Sequence, residues 1–201
     1  MPIAFAPYRF AMRTVPTFVV AAIALLALSG CQPDTVPIIP DPVPTSDLLF
    51  DSEEEALAAA EEAYGAYLAV LDTIFAEGGE RPERLRDVAT EEVLSEQLSG
   101  FESYASEGKR SVGETLFDSM VLQSADLSRF EVTDVVVVYV CQDFSAIDVL
   151  GPDGSSVVSQ SRQTRWPLTV TFDATDGSPR PLVVSSTEDW TGADFCVDSS
   201  Q

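Results

Sequence analysis

Residues 50–201 read as an α+β domain in which helices come first and an antiparallel sheet follows and wraps a long helix. Three observations carry that reading. Apolar residues between positions 52 and 108 recur at steps of three or four. After Gly113 the repeat shortens to two and β-branched residues dominate. Turn signals then punctuate the second half at Pro152-Asp153-Gly154 and Asp176-Gly177.

Ser52-Glu53-Glu54-Glu55 has capping-box spacing, and its carboxylates suit the positive end of a helix dipole. The helix that starts there carries Leu57, Ala60, Tyr64, Leu68, Leu71 and Phe75 on one stripe and stops at Gly78-Gly79. Pro82 starts a short second helix around Leu85 and Val88. Thr90 caps a third, with Val93 or Leu94, Leu98, Phe101 and Ala105 on one side and Gly108 at its end.

Strands are expected at 114–123, 130–143, 156–172 (with bends) and 182–190. Trp166, Leu168, Val170 and Phe172 alternate with Pro167, Thr169 and Thr171, so one face of that strand is buried and the other solvated. Pro167 places it at an edge or a bulge. Residues 135–138 are four consecutive valines, the pattern of a central strand covered on both faces.

Composition removes whole classes of function. The 201 residues include no histidine, which rules out a Ser-His-Asp triad, a Cys-His pair, an H-E-x-x-H zinc site and any imidazole base. With 33 acidic residues against 11 basic, the formal charge of −22 repels phosphate backbones, so nucleic acid is not an expected partner. There is no G-x-G-x-x-G, Walker A or G-x-S-x-G element; Gly108-Lys109-Arg110 lacks the upstream glycine and the Ser or Thr. Asp173 to Gly177 has part of a calcium-loop spacing without the downstream Glu, and a hairpin turn accounts for it. No cofactor or metal is expected. Glu114, Asp143 and Asp148 are candidates for acids meeting at a pocket mouth, but so acidic a chain makes some carboxylate pair inevitable and no catalytic residue is assigned.

Ahead of the domain, residues 1–17 carry Arg9 and Arg13 and no acid, and an apolar run follows at 18–28. That is the n-region and h-region of a secretory signal. Eleven apolar residues at 1.5 Å each make roughly 16 Å of helix, short of the ~30 Å hydrocarbon core, so a permanent span is disfavoured. The arginines are not adjacent, which favours the general secretory route over twin-arginine export.

The run ends in Leu28-Ser29-Gly30-Cys31, which resembles the lipobox of bacterial lipoproteins at all four positions. The resemblance implies a signal peptide spanning 1–30, cleavage before Cys31, and a thioether-linked diacylglyceryl group on Cys31. Two acyl chains anchor stably where one holds only marginally. The competing reading is an ordinary secreted protein in which Cys31 falls near the cleavage site or pairs in a disulfide. The mature chain would carry 33 acids against 9 bases, a net of −24. Lys109 is the only lysine and asparagine is absent, which points to a GC-rich genome and, with the lipobox, to an actinobacterial host. The anchor then lies on the extracytoplasmic face of the cell membrane; in a Gram-negative host Gln32 would permit outer-membrane sorting.

Residues 31–49 form the tether. Its prolines, Pro33, Pro37, Pro40, Pro42 and Pro44, exclude a packed element, and fifteen residues in polyproline II reach at most about 45 Å. A spacer is the expected role, with a docking site for a proline-reading partner as the alternative. Export to an oxidising compartment with Cys31 acylated leaves Cys141 and Cys196 as the disulfide pair, closing a loop of 56 residues. Two free thiols serving catalysis or metal would need a nearby base or more ligands.

Helices followed by a meandering sheet over residues 50–197 resemble the NTF2-like, or SnoaL-like, cone, with a cystatin-like helix-on-sheet as the nearest alternative. The resemblance rests on element order and length, and implies a strongly curved sheet and a pocket. In enzymes of that family the base is often an Asp or His assisted by Tyr; no residue here matches such a motif, so none is carried over. The expected role is a lipid-anchored binding or accessory module holding a small ligand or an envelope protein. The alternative is a small isomerase, dehydratase or hydrolase using a buried carboxylate of raised pKa. A third reading is a spacer or immunity-type surface protein without a pocket.

Overall fold

The structure, a computed structural model, describes residues 48–128, 135–176 and 180–197. Cys31, the leader, the tether up to residue 47, the start of the strand expected at 130–143 and residues 177–179 of the expected turn lie outside the described residues.

Domain contacts begin just before residue 50. Leu48 bridges Ser128, Leu49 N donates to Leu127 O at 2.7 Å, and Phe50 is buried. The first helix, α1, runs Glu53–Ala76. Ser52 caps it by accepting from Glu55 N at 3.2 Å, while the Glu55 carboxylate accepts from Asp51 N, one residue ahead of the usual capping-box target. The buried stripe of α1 is broader than expected: Ala56, Ala63, Tyr67 and Ile74 join Ala60, Tyr64 and Leu68, and Leu57, Leu71 and Phe75 are only half-buried. Small residues at 56, 60 and 63 bring the helix close to the sheet, so the stripe's centre shifts toward them.

At the end of α1 the chain turns sharply. Gly79 N donates to Ile74 O at 2.8 Å, Gly79 sits at φ +85°, and any Cβ there would run into the backbone of Phe101. A 3₁₀ segment, Pro82–Asp87, buries Leu85. Helix α2, Glu91–Glu107, starts at Thr90, whose hydroxyl accepts from Val93 N, and ends at Gly108 in the left-handed region. It buries Val93, Leu94 and Phe101. Leu98 and Ala105, expected on the same side, are exposed, because α2 meets the rest of the domain along its N-terminal half and through the Phe75–Phe101 and Phe75–Tyr104 ring contacts at 5.0 and 4.6 Å.

Among the described residues there are six strands: β1 Arg110–Val112, β2 Leu116–Ala125, β3 Val136–Asp143, β4 Asp148–Leu150, β5 Arg165–Ala174 and β6 Leu182–Asp189. β2, β3, β5 and β6 form one antiparallel sheet in the order β2-β3-β5-β6, and β1 pairs with β4 in a separate ribbon. Helix α1 packs on one face of the four-stranded sheet, burying Val136, Val138 and Val140 of β3, Leu168, Val170 and Phe172 of β5, and Leu182 and Val184 of β6. The chain is thus an α+β domain with helices on an antiparallel sheet.

Several strand expectations need correction. The strand expected at 156–172 begins only at Arg165; residues 151–164 turn and loop instead, tied by Gly151 N to Ser155 O and by the short polar side chains of Asp153, Ser155, Ser159 and Ser161 bonding locally. The β1–β4 ribbon was not expected. Pro167 lies in an interior strand, not at an edge. In an antiparallel ladder a residue's N–H and C=O point to the same side; Pro167 O accepts from Trp190 N, so its missing N–H faces the side where β6 has already ended at Asp189. β3 is interior to the sheet: Val136, Val138 and Val140 on the helix-facing side are fully buried, and on the other face Cys141 is fully buried while Val137 and Tyr139 are half-buried.

Both sheet edges are managed. Val184 N donates to Val88 O and Thr90 N to Val184 O, covering β6. β2 is broken by register shifts at Asp118/Val121 and Leu122/Ser124, with Ser119 at φ +56°, the kind of bulged edge that resists further pairing.

Candidate functional site

Beneath α1, at the end of the sheet where β3 runs out, the core opens into a cavity of about 200 Å³. Helix α1 contributes Tyr64, Tyr67, Leu68, Leu71, Asp72 and Phe75, and α2 contributes Gln97. Thr115, Gln142, Phe144 and Thr187 close it from the sheet side. Along the helix-facing side of β3, Val136, Val138 and Val140 give way to Gln142, so the apolar core turns polar there.

Tyr64 is fully buried, its ring edge-on to Phe117 at 5.2 Å and nearly stacked on Tyr67 at 6.0 Å. Its hydroxyl has no hydrogen-bond partner among the described residues. A buried hydroxyl left so costs about 1–3 kcal/mol, and a tyrosine in a core normally finds a partner. Burial pushes its pKa far above the ordinary tyrosine value, with Tyr67 adding to the rise. Tyr67 is likewise pushed up to about 12, chiefly by burial and then by the charge of Glu96, with the Thr187 hydroxyl pulling the other way. Both phenols are therefore neutral donors at physiological pH.

Asp72 is the carboxylate on the cavity wall. Thr115 donates its backbone N–H to one oxygen at 2.7 Å and its hydroxyl to the other at 2.6 Å, tying α1 to the start of β2. Asp72 and Thr115 also border an open groove of about 520 Å³ on the outside of α1, where Gly65, Ala69 and Ala76 face Gly113 and Glu114.

The acids expected at a pocket mouth are not brought together. Asp143 accepts from Arg165 Nη1 at 2.9 Å, and the Ser145 amide, ahead of Arg165, holds its pKa below the ordinary aspartate value. Asp148 accepts from the Ser156 hydroxyl at 2.7 Å and from Val149 N. Glu114 borders the outer groove. Cys141 and Cys196 are joined by a disulfide with Cα atoms 5.4 Å apart, which holds the C-terminal tail against β3. There Trp190 packs on Tyr139 at 4.7 Å and Arg165 Nε donates to Cys196 O at 3.0 Å. Sequence reasoning treated Tyr64 only as core and did not single out Tyr67, Asp72, Gln97, Gln142 or Thr187. The available signals were a tyrosine on an apolar stripe and a glutamine closing a run of core valines, each a polar group that has to find a partner inside.

No helix among the described residues is long and apolar enough to cross a membrane. Comparison with known protein families finds no family model that matches the chain, and comparison with curated proteins finds no match either.

Proposed function

We propose that the protein is an exported lipoprotein of the cell envelope, anchored through Cys31, whose domain binds a small ligand in the cavity beneath α1. The leader and the lipobox-like Leu28-Ser29-Gly30-Cys31 support export and anchoring to the extracytoplasmic face of the cell membrane, and the proline-rich tether supports a domain held clear of the bilayer. An NTF2-like assignment is supported by helices preceding an antiparallel sheet with a cavity between the layers.

The observation that carries ligand binding is the cavity itself, where the apolar wall of Leu71, Phe75 and Phe144 is joined by the polar side chains of Gln97, Gln142 and Thr187 and by the Asp72 carboxylate. The alternative, an isomerase, dehydratase or hydrolase working through a buried carboxylate, would have to use Asp72. Both Asp72 oxygens already hold Thr115 donors that tie α1 to the start of β2, so the carboxylate is engaged in holding the fold and binding is the better reading.

Native mass spectrometry of the full chain purified from its host's membranes tests both parts. The expected species starts at Cys31, carries a diacylglyceryl adduct and retains a small molecule that leaves on denaturation. An unmodified thiol at position 31 overturns the anchor, and a protein that comes from its host empty overturns the binding role.

A further inference from the structure

Resting on the ligand-binding reading, we infer that the cavity beneath α1 takes a small organic cation, an ammonium group carried on one apolar ring or a short apolar chain. Size sets the first limit. About 200 Å³ corresponds to roughly six or seven waters at ~30 Å³ each and falls below the ~300–1,000 Å³ of sites for drug-sized ligands.

Charge sets the second limit. Asp72 brings a carboxylate to the lining, and no Lys or Arg lines the cavity. A carboxylate or phosphate ligand would lose its hydration beside a like charge with no cation to replace it, inside a chain of net charge −22. An ammonium meets the opposite situation. Thr115 occupies one acceptor site on each oxygen of the half-buried Asp72, and a carboxylate offers about four such sites, so both oxygens can still accept an N–H. A bond of that kind is charge-assisted and among the stronger ones. A neutral ligand would strip water from the same carboxylate and return no counter-charge. Asp72 and Thr115 also border the outer groove, where Glu114 adds a second carboxylate and raises the local concentration of cations.

Gln142 points to a ligand independently. It follows Val136, Val138 and Val140 on the helix-facing side of β3, is 9% exposed and lines the cavity. Its carboxamide makes no hydrogen bond to any described residue. A carboxamide buried to that extent calls for a partner, and its oxygen is an acceptor for a further N–H donor. Leu71, Phe75 and Phe144 supply the apolar surface for the ligand's body, and the negative face of an aromatic ring favours a cation over an anion.

The test uses three probes alike in shape and different in charge: benzylamine, benzyl alcohol and benzoate. Each is titrated at millimolar concentration into the full chain in nonionic detergent and followed by saturation-transfer NMR against a detergent blank. Working at about 150 mM salt screens the exposed acids beyond about 8 Å. Benzylamine should bind at least about tenfold more tightly than either of the others. Asp72→Asn should remove that preference, and Gln142→Leu should weaken benzylamine at least about threefold while the fold persists by circular dichroism. Glu102→Gln, which removes an exposed charge from α2, should leave binding unchanged. If Asp72→Asn does not fold, the Gln142→Leu result decides alone. Benzyl alcohol or benzoate binding as tightly as benzylamine overturns the cationic class while leaving the binding role intact, as does a neutral or anionic ligand recovered by native mass spectrometry. No benzylamine binding overturns the inference, and if the protein from its host is also empty the binding reading falls with it. Benzylamine binding that neither cavity variant weakens, or that Glu102→Gln weakens equally, is surface attraction and overturns the assignment to this cavity.

Discussion

Arg165 Nη2 holds both carboxylate oxygens of Asp118, at 2.9 and 2.8 Å, reaching from β5 across β3 to β2. The same guanidinium gives Nη1 to Asp143 in β3 and Nε to Cys196 O in the tail, so one planar fork ties three strands and the C-terminus together. Its side chain is 29% exposed, so solvent screens the pairs and their contribution is modest.

Arg165→Met should therefore destabilise the domain by on the order of 1–2 kcal/mol, read from urea midpoints.

Asp143 supplies a pH signature. Its folded-state pKa lies below the ordinary value, first because it accepts from the Ser145 amide, so above the unfolded pKa it adds stability that is lost as pH falls through the folded value. The stability difference between wild type and Asp143→Asn should shrink as pH is lowered from about 5 toward 2. Taking the difference at each pH cancels the general relief of charge repulsion that protonation brings to so acidic a chain. A difference that stays constant over that range would mean the carboxylate charge contributes nothing.

Reduction of the Cys141–Cys196 bond, or the double substitution to Ser, should cost up to about 4 kcal/mol on the chain-entropy model for a 56-residue loop. The tail should loosen first, because Trp190, Ala193 and Cys196 are held near β3 and β5 largely by that bond, the Arg165 contact and the Trp190–Tyr139 packing. In a Trp166→Phe background, Trp190 emission should shift to the red on reduction before the far-ultraviolet circular dichroism changes.

Two glycines at similar φ should respond very differently to alanine. Gly154, at φ +80°, has open space where a Cβ would go, so Gly154→Ala should cost only the left-handed penalty, about 1–2 kcal/mol. Gly79, at φ +85°, faces the Phe101 backbone, so Gly79→Ala adds an α1–α2 clash that a flexible side chain cannot relieve. Its thermal midpoint should fall well beyond that of Gly154→Ala.

Tyr64→Phe should leave the ligand-free domain as stable as wild type or more so, by up to about 1–2 kcal/mol, since it removes a buried donor without a partner. The alkaline limb should change too. Raised folded-state pKa values mean stability that is full below about 10 and is lost as pH rises through the folded values, about 12 for Tyr67. Tyr67→Phe should flatten that loss, and absorbance near 295 nm should show tyrosinate appearing late in the wild type.

Local rules decided a good deal. Caps at Ser52 and Thr90, stops at Gly79 and Gly108, the turn at Asp153-Gly154 and the alternation from Leu168 to Phe172 depend on neighbours within a few residues, so they are readable from the chain. So is the cysteine arithmetic, once the lipobox resemblance sets Cys31 aside. Only the tertiary structure decided that residues 110–112 pair with 148–150, that Pro167 sits inside the sheet at the rung where β6 ends, and that Tyr64, Gln97, Gln142 and Thr187 meet around one cavity. Those outcomes depend on strand order and on which polar group lacks a partner once the layers close. Pairings dozens of residues apart set both, and periodicity along the chain carries no record of them.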